Sequence, residues 1–119
     1  TEFADMRAAY DSLDQDTKDL IEDLVCEHSQ IYSRARLGFT DFSPEELERF
    51  KPVRQRLVRT HPSTGRKSLY LASHIGSIIG WSAPEATLLL MDLTEIATQR
   101  EFVYPHEWAV GDIVMWDNR

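Results

Sequence analysis

The sequence predicts an α+β fold, and three observations carry that expectation. Apolar residues recur at helical spacing through the N-terminal third and again over residues 83–97. The period switches to two between Arg54 and His74, the signature of strands. Two of the helical stretches open on a Ser-x-x-Glu start signal, Ser43 to Glu46 and Ser82 to Glu85. At 119 residues, 42% apolar and 28% charged, the chain holds material for one ordinary globular core.

Met6, Ala9, Tyr10 and Leu13 fall at i, i+3, i+4 and i+7, predicting a short amphipathic helix that ends near Asp14. Leu20, Ile21, Leu24, Val25 and His28 line up as the stripe of a second helix, whose acidic first turn suits the helix dipole. Residues 29–42 show no sustained period and read as a loop. Ser43, Pro44 and Glu46 then start a helix toward Phe50, closed by Pro52. In the strand from Arg56 to His61, Leu57, Arg59 and His61 share one face and Arg56, Val58 and Thr60 the other. Pro62 to Gly65 turns the chain, and Ser68 to His74 returns as the second strand of a hairpin. After the helix over 83–97, Phe102, Tyr104, His106 and Trp108 alternate as an aromatic strand face, Val110 to Asp112 turns, and Ile113 to Trp116 reads as a last strand.

Net charge is −7, which speaks against nucleic acid as a partner, and no apolar run approaches the roughly 20 residues of a membrane span. The charge is unevenly placed: residues 51–80 hold six Lys or Arg and no acid, inside a chain that is otherwise acidic. An anionic small molecule is the partner such a segment favours, unless its cations pair with neighbouring acids. The single cysteine, Cys26, suits a reducing cytoplasm, and its place in an apolar stripe makes it an inert, buried thiol. Histidines at 28, 61, 74 and 106 form no chelating pair, no nucleophile elbow is present, and the five glycines make no phosphate-binding loop. His28 and His106 read as structural, whereas His61 and His74 lie in the basic hairpin where they can meet a substrate.

Longer strings decide more than periodicity. Thr1 to Tyr10 (TEFADMRAAY), Leu57 to His61 (LVRTH), Gly65 to Tyr70 (GRKSLY), Ala97 to Tyr104 (ATQREFVY) and Gly111 to Arg119 (GDIVMWDNR) resemble the 2,4-dichlorophenoxyacetate and taurine dioxygenase family, closer to its dichlorophenoxyacetate branch. The resemblance implies a partial double-stranded β-helix (jelly roll) with helical insertions, with residues 1–119 as the central part of one domain. It also implies Fe(II) as cofactor, with 2-oxoglutarate and O2 as cosubstrates. In that family the His-x-Asp iron ligands precede the Thr-Glu-Phe string and the distal His follows Trp-Asp-Asn-Arg, so no metal ligand and no catalytic residue is expected among these residues. Thr1 matches the threonine that bonds a 2-oxoglutarate carboxylate, His61 and His74 match substrate-binding positions, and Trp116 is placed near the iron without binding it. The implied reaction converts the aryloxyalkanoate 2,4-dichlorophenoxyacetate to 2,4-dichlorophenol and glyoxylate, with succinate and carbon dioxide. These residues alone are expected to be inactive. A sulfonate such as taurine as substrate, and a non-catalytic anion-binding module, are the alternatives, and the sequence leaves homo-oligomerisation open.

Overall fold

In the computed structural model, which describes residues 1–119, helices and short antiparallel strands alternate. The order is β1 (Glu2–Ala4), α1 (Met6–Ser12), α2 (Gln15–Ile21), β2 (Val25–His28), α3 (Gln30–Arg36), α4 (Pro44–Arg49), β3 (Val53–Arg56), β4 (Val58–Thr60), β5 (Lys67–Leu69), β6 (Ile75–Ile78), α5 (Ala83–Ala97) and β7 (Val103–Pro105). Three small sheets result: β1 with β7, the triplet β3-β2-β6, and the hairpin β4-β5, every pair antiparallel. The core gathers Ala9, Tyr10 and Leu13 from α1 and its end, Ile21, Cys26, Leu57, Ile78 and, from α5, Leu93 and Ala97. The α+β expectation therefore holds.

Local chemistry explains the helix starts. Asp5 accepts from the backbone N–H of Arg7 and Ala8 to cap α1, and Asp14 accepts from Thr17 to cap α2. Ser43 and Glu46 form the reciprocal capping box of α4, at 3.2 and 2.9 Å. At α5 only half of the expected box forms: Ser82 accepts from the Glu85 N–H at 3.4 Å.

Six expectations are corrected. The helix expected to reach His28 stops at Ile21, and Val25–His28 is the middle strand of its sheet. The same apolar spacing fits a strand with Cys26 and His28 pointing inward, and partners on both sides satisfy its backbone. The loop at 29–42 contains α3, capped by Ser29 and ended at Gly38, whose φ of +84° only glycine adopts readily. None of its residues is buried, so no apolar stripe marks it in the sequence. The strand over 56–61 breaks at Leu57, and Leu57 and Val58 are both buried although successive strand residues point oppositely. Each half pairs in a different sheet. The returning strand ends at Leu69, a separate β6 follows at Ile75, and residues 113–116 form no strand: Ile113 and Met115 are 93% exposed, with no strand beside them to complete a ladder. The aromatic strand is likewise shortened, to Val103–Pro105.

The hairpin turn is as expected. Gly65 has φ +70° and donates to the His61 carbonyl at 2.8 Å, while His61 donates to Arg66 at 2.8 Å. Gly76 answers a different need: a methyl group there would overlap the Tyr32 ring of α3. Gly76→Ala is expected to destabilise the protein by about 1–3 kcal/mol through that overlap, read as a lower urea midpoint with unchanged slope.

Candidate functional site

The β4-β5 hairpin gathers the candidate binding groups. His61 sits where β4 enters the turn, and both of its ring nitrogens are engaged. Nδ1 accepts from the Ser63 backbone N–H at 3.2 Å, so the ring proton lies on Nε2, which donates to Asp117 Oδ2 at 3.0 Å. Asp117 also accepts from Arg119: Nε at 3.0 Å, Nη2 at 2.9 Å and the backbone N–H at 3.0 Å. The Arg119 fork, and after it His61, hold this carboxyl well below the usual carboxylate range. Two clefts meet here, both bordered by His61 and Arg119. One, of about 600 Å³, is lined by Arg56, Arg59 and Lys67. The other, of about 650 Å³, is lined by Phe3, Tyr70, Tyr104 and Trp116. Trp116 packs on Phe3, ring centroids 5.0 Å apart.

The basic segment is less free than its composition suggests. Lys51 pairs with Glu48, Arg56 with Asp23, Arg66 with Asp11 and Lys67 with Glu22. Arg54 and Arg59 have no acidic partner. Of these Arg59 lines the cleft beside His61, half-buried, with its guanidinium 3.8 Å from the Tyr70 ring centroid and bonded to Gln55. Tyr70 in turn stacks with buried His28, whose Nε2 has no hydrogen-bond partner. Sequence reading missed Arg59, Asp117 and Arg119 as a group. The Asp-Asn-Arg run and an Arg two residues before His61 were the available signals, but nothing local joins residues 56 positions apart.

The other candidates lie apart. Thr1 Oγ1 accepts from the Trp108 indole N–H at 2.8 Å, which leaves its own hydroxyl proton free for an anionic acceptor. His74 is exposed, held through Nδ1 by Ser33 Oγ at 2.8 Å, and lines neither cleft that His61 borders. His106 is structural: it bonds Asp112 at 3.0 Å and lies edge-on to Trp108. No three His, Cys, Asp or Glu side chains converge as metal ligands, so these residues do not by themselves fit an iron ion.

The model of the taurine catabolism dioxygenase TauD, TfdA family matches residues 1–119. The chain belongs to the TauD/TfdA family. Within it, the chain is 50% identical over 119 residues to the alpha-ketoglutarate-dependent 2,4-dichlorophenoxyacetate dioxygenase of Cupriavidus pinatubonensis, covering 100% of the chain and 42% of that protein. It is 46% identical over 125 residues to the (S)-phenoxypropionate/alpha-ketoglutarate-dioxygenase of Sphingobium herbicidovorans, covering 100% of the chain and 44% of the relative. The crystal structure of AAD-2 in complex with Mn(II) and N-oxalylglycine matches with a TM-score of 0.95 at 67% identity, over 99% of this chain and 43% of that one. A taurine dioxygenase from Burkholderia xenovorans matches with a TM-score of 0.72 at 28% identity, over 92% of this chain and 34% of that one. This TauD/TfdA chain thus spans about two-fifths of the length of the curated relatives it matches. No helix is long and apolar enough to cross a membrane.

Two buried groups give expectations of their own. Burial pushes the Cys26 thiol up to about 11, so it should resist iodoacetamide in the native protein and react on unfolding, read by mass spectrometry. Burial, with the Arg59 and His74 charges, holds His28 below its ordinary value of 6.5. The unfolded chain therefore takes a proton at His28 that the folded state refuses, and stability falls as pH drops through the ordinary histidine range. His28→Phe should flatten that fall in denaturation curves taken on either side of pH ~6.5.

Proposed function

We propose that the protein carrying this chain is an Fe(II)- and 2-oxoglutarate-dependent dioxygenase that cleaves the ether side chain of 2,4-dichlorophenoxyacetate to 2,4-dichlorophenol and glyoxylate. The observation that carries the reading is the gradient of likeness. Identity over the whole chain is 50% to a 2,4-dichlorophenoxyacetate dioxygenase but 28% to a taurine dioxygenase over most of it. The likeness to AAD-2 holding Mn(II) and N-oxalylglycine, a 2-oxoglutarate analogue, supports the cosubstrate. On this reading residues 1–119 are the central part of one domain, their three sheets belong to a double-stranded β-helix, and the protein works in the cytoplasm.

When bound, iron and 2-oxoglutarate supply the oxidising chemistry; the residues here supply binding and orientation. Thr1, its oxygen anchored by Trp108, offers its hydroxyl proton to a 2-oxoglutarate carboxylate. His61 and Arg59 present an imidazole N–H and an unpaired guanidinium to the substrate carboxylate, and the Phe3, Tyr70 and Trp116 side of the second cleft suits the chlorinated ring. His74 is kept as a substrate-binding residue on the resemblance alone, since it is exposed, bonds Ser33 and borders neither cleft. Hydroxylation of the side-chain methylene gives a hemiacetal, whose collapse releases phenol and glyoxylate, while 2-oxoglutarate ends as succinate and carbon dioxide.

The full-length protein should release 2,4-dichlorophenol only when iron and 2-oxoglutarate are both present. Sulfite release from taurine at a greater rate would select the sulfonate alternative, and phenol release that ignores 2-oxoglutarate would reject the class. His61→Ala is expected to raise KM for the aryloxyacetate roughly two- to threefold with a smaller effect on kcat, because the donor lost to the substrate carboxylate is partly offset by the bond to Asp117 that it no longer has to give up.

A further inference from the structure

His61 poses a chemical difficulty: a residue assigned to an anionic substrate has no free nitrogen. Its Nδ1 is an acceptor for Ser63, and its only proton, on Nε2, is already directed at a carboxylate of the same chain. We infer that Asp117 is a specificity-determining residue: its carboxylate holds on His61 the place that a substrate carboxylate takes, and the two exchange there.

The geometry makes this exchange mild. Asp117 receives four hydrogen bonds, of which three come from Arg119, two residues along the chain. Giving up His61 leaves Asp117 with its charge matched by the Arg119 fork and with both oxygens still accepting. His61 loses one carboxylate oxygen and gains another, so the type of bond is conserved. The place is also reachable. Asp117 keeps 47% of its side-chain surface and His61 23%, and both His61 and Arg119 border the two clefts from which a ligand can arrive. A neutral oxygen is a weaker acceptor than the ionised carboxylate it must displace, so an internal carboxylate at this point selects for anions.

The inference rests on His61 meeting the substrate, and the experiment separates the two. Steady-state kinetics on the full-length protein, with 2-oxoglutarate saturating and 2,4-dichlorophenoxyacetate varied, would compare the native protein, Asp117→Asn, His61→Ala and the double variant. Exchange requires that Asp117→Asn lower KM roughly three- to tenfold, because an amide oxygen holds the His61 proton less firmly than a carboxylate. The fall must vanish in the His61→Ala background. A KM that rises or stays level in folded Asp117→Asn overturns the inference, as does a fall that persists without His61, which would assign the effect to the freed Arg119 alone. If His61→Ala leaves KM unchanged in the native and in the Asp117→Asn background alike while Asp117→Asn itself lowers nothing, the substrate assignment of His61 fails first, a result recognisably different from the others. Nitrogen-15 spectra of His61 give a readout free of turnover: phenoxyacetate added to the native protein should shift the Nε2–H signal and leave Nδ1 unprotonated, and no shift at saturation overturns the exchange. Should Asp117→Asn fail to fold, Asp117→Ser carries the same expectation.

Discussion

Leu57 is the joint on which the structure depends. Its backbone N–H donates to Leu24 at 3.0 Å and its carbonyl accepts from Tyr70 at 2.7 Å, so a single residue bonds to the β2 side of one sheet and to the hairpin of another. Its side chain is fully buried, and Val58 beside it is buried too. Two successive inward residues cannot belong to one flat strand; the chain must turn between sheets at this point. That turn aims β4, and with it Arg59 and His61, into the clefts. A backbone anchored from both sides leaves the hairpin little freedom to drift, which is what a binding group placed on a loop requires.

Charge is managed by the same geometry. A segment with six cations and no acid would repel itself, yet acids from elsewhere in the chain meet four of the six. These pairs are exposed, and each adds little to stability. Their larger effect is to reduce a broad positive stretch to a local one. Arg59 remains without an acid, steadied by the Tyr70 face and by Gln55. Selectivity for an anion then comes from a few placed donors and not from net charge, which at −7 would repel anions at long range.

Helix α3 shows how a polar segment can serve as scaffolding. Arg36 donates to the carbonyls of Ser73 and Ile75 at 3.0 and 2.7 Å, Ser33 bonds His74, and the Tyr32 ring lies against Gly76. Three side chains of one short helix therefore fasten the segment that leads into β6. One guanidinium thus serves two carbonyls, that of Ser73 exposed and that of Ile75 partly buried.

By itself the sequence determined the features whose causes lie within a few residues: the capped starts of α4 and α5, the Gly65 turn, the buried face of α1 and the family to which the strings at both ends belong. Caps and turns are made by neighbours along the chain, so neighbours suffice to read them. Whether Val25–His28 coils or extends, where the strand through Leu57 breaks, whether Ile113–Trp116 pairs, and which acid meets His61 were decided only in three dimensions. Each depends on a hydrogen-bond or charge partner distant in sequence, and hydrophobic spacing carries no record of that partner's identity.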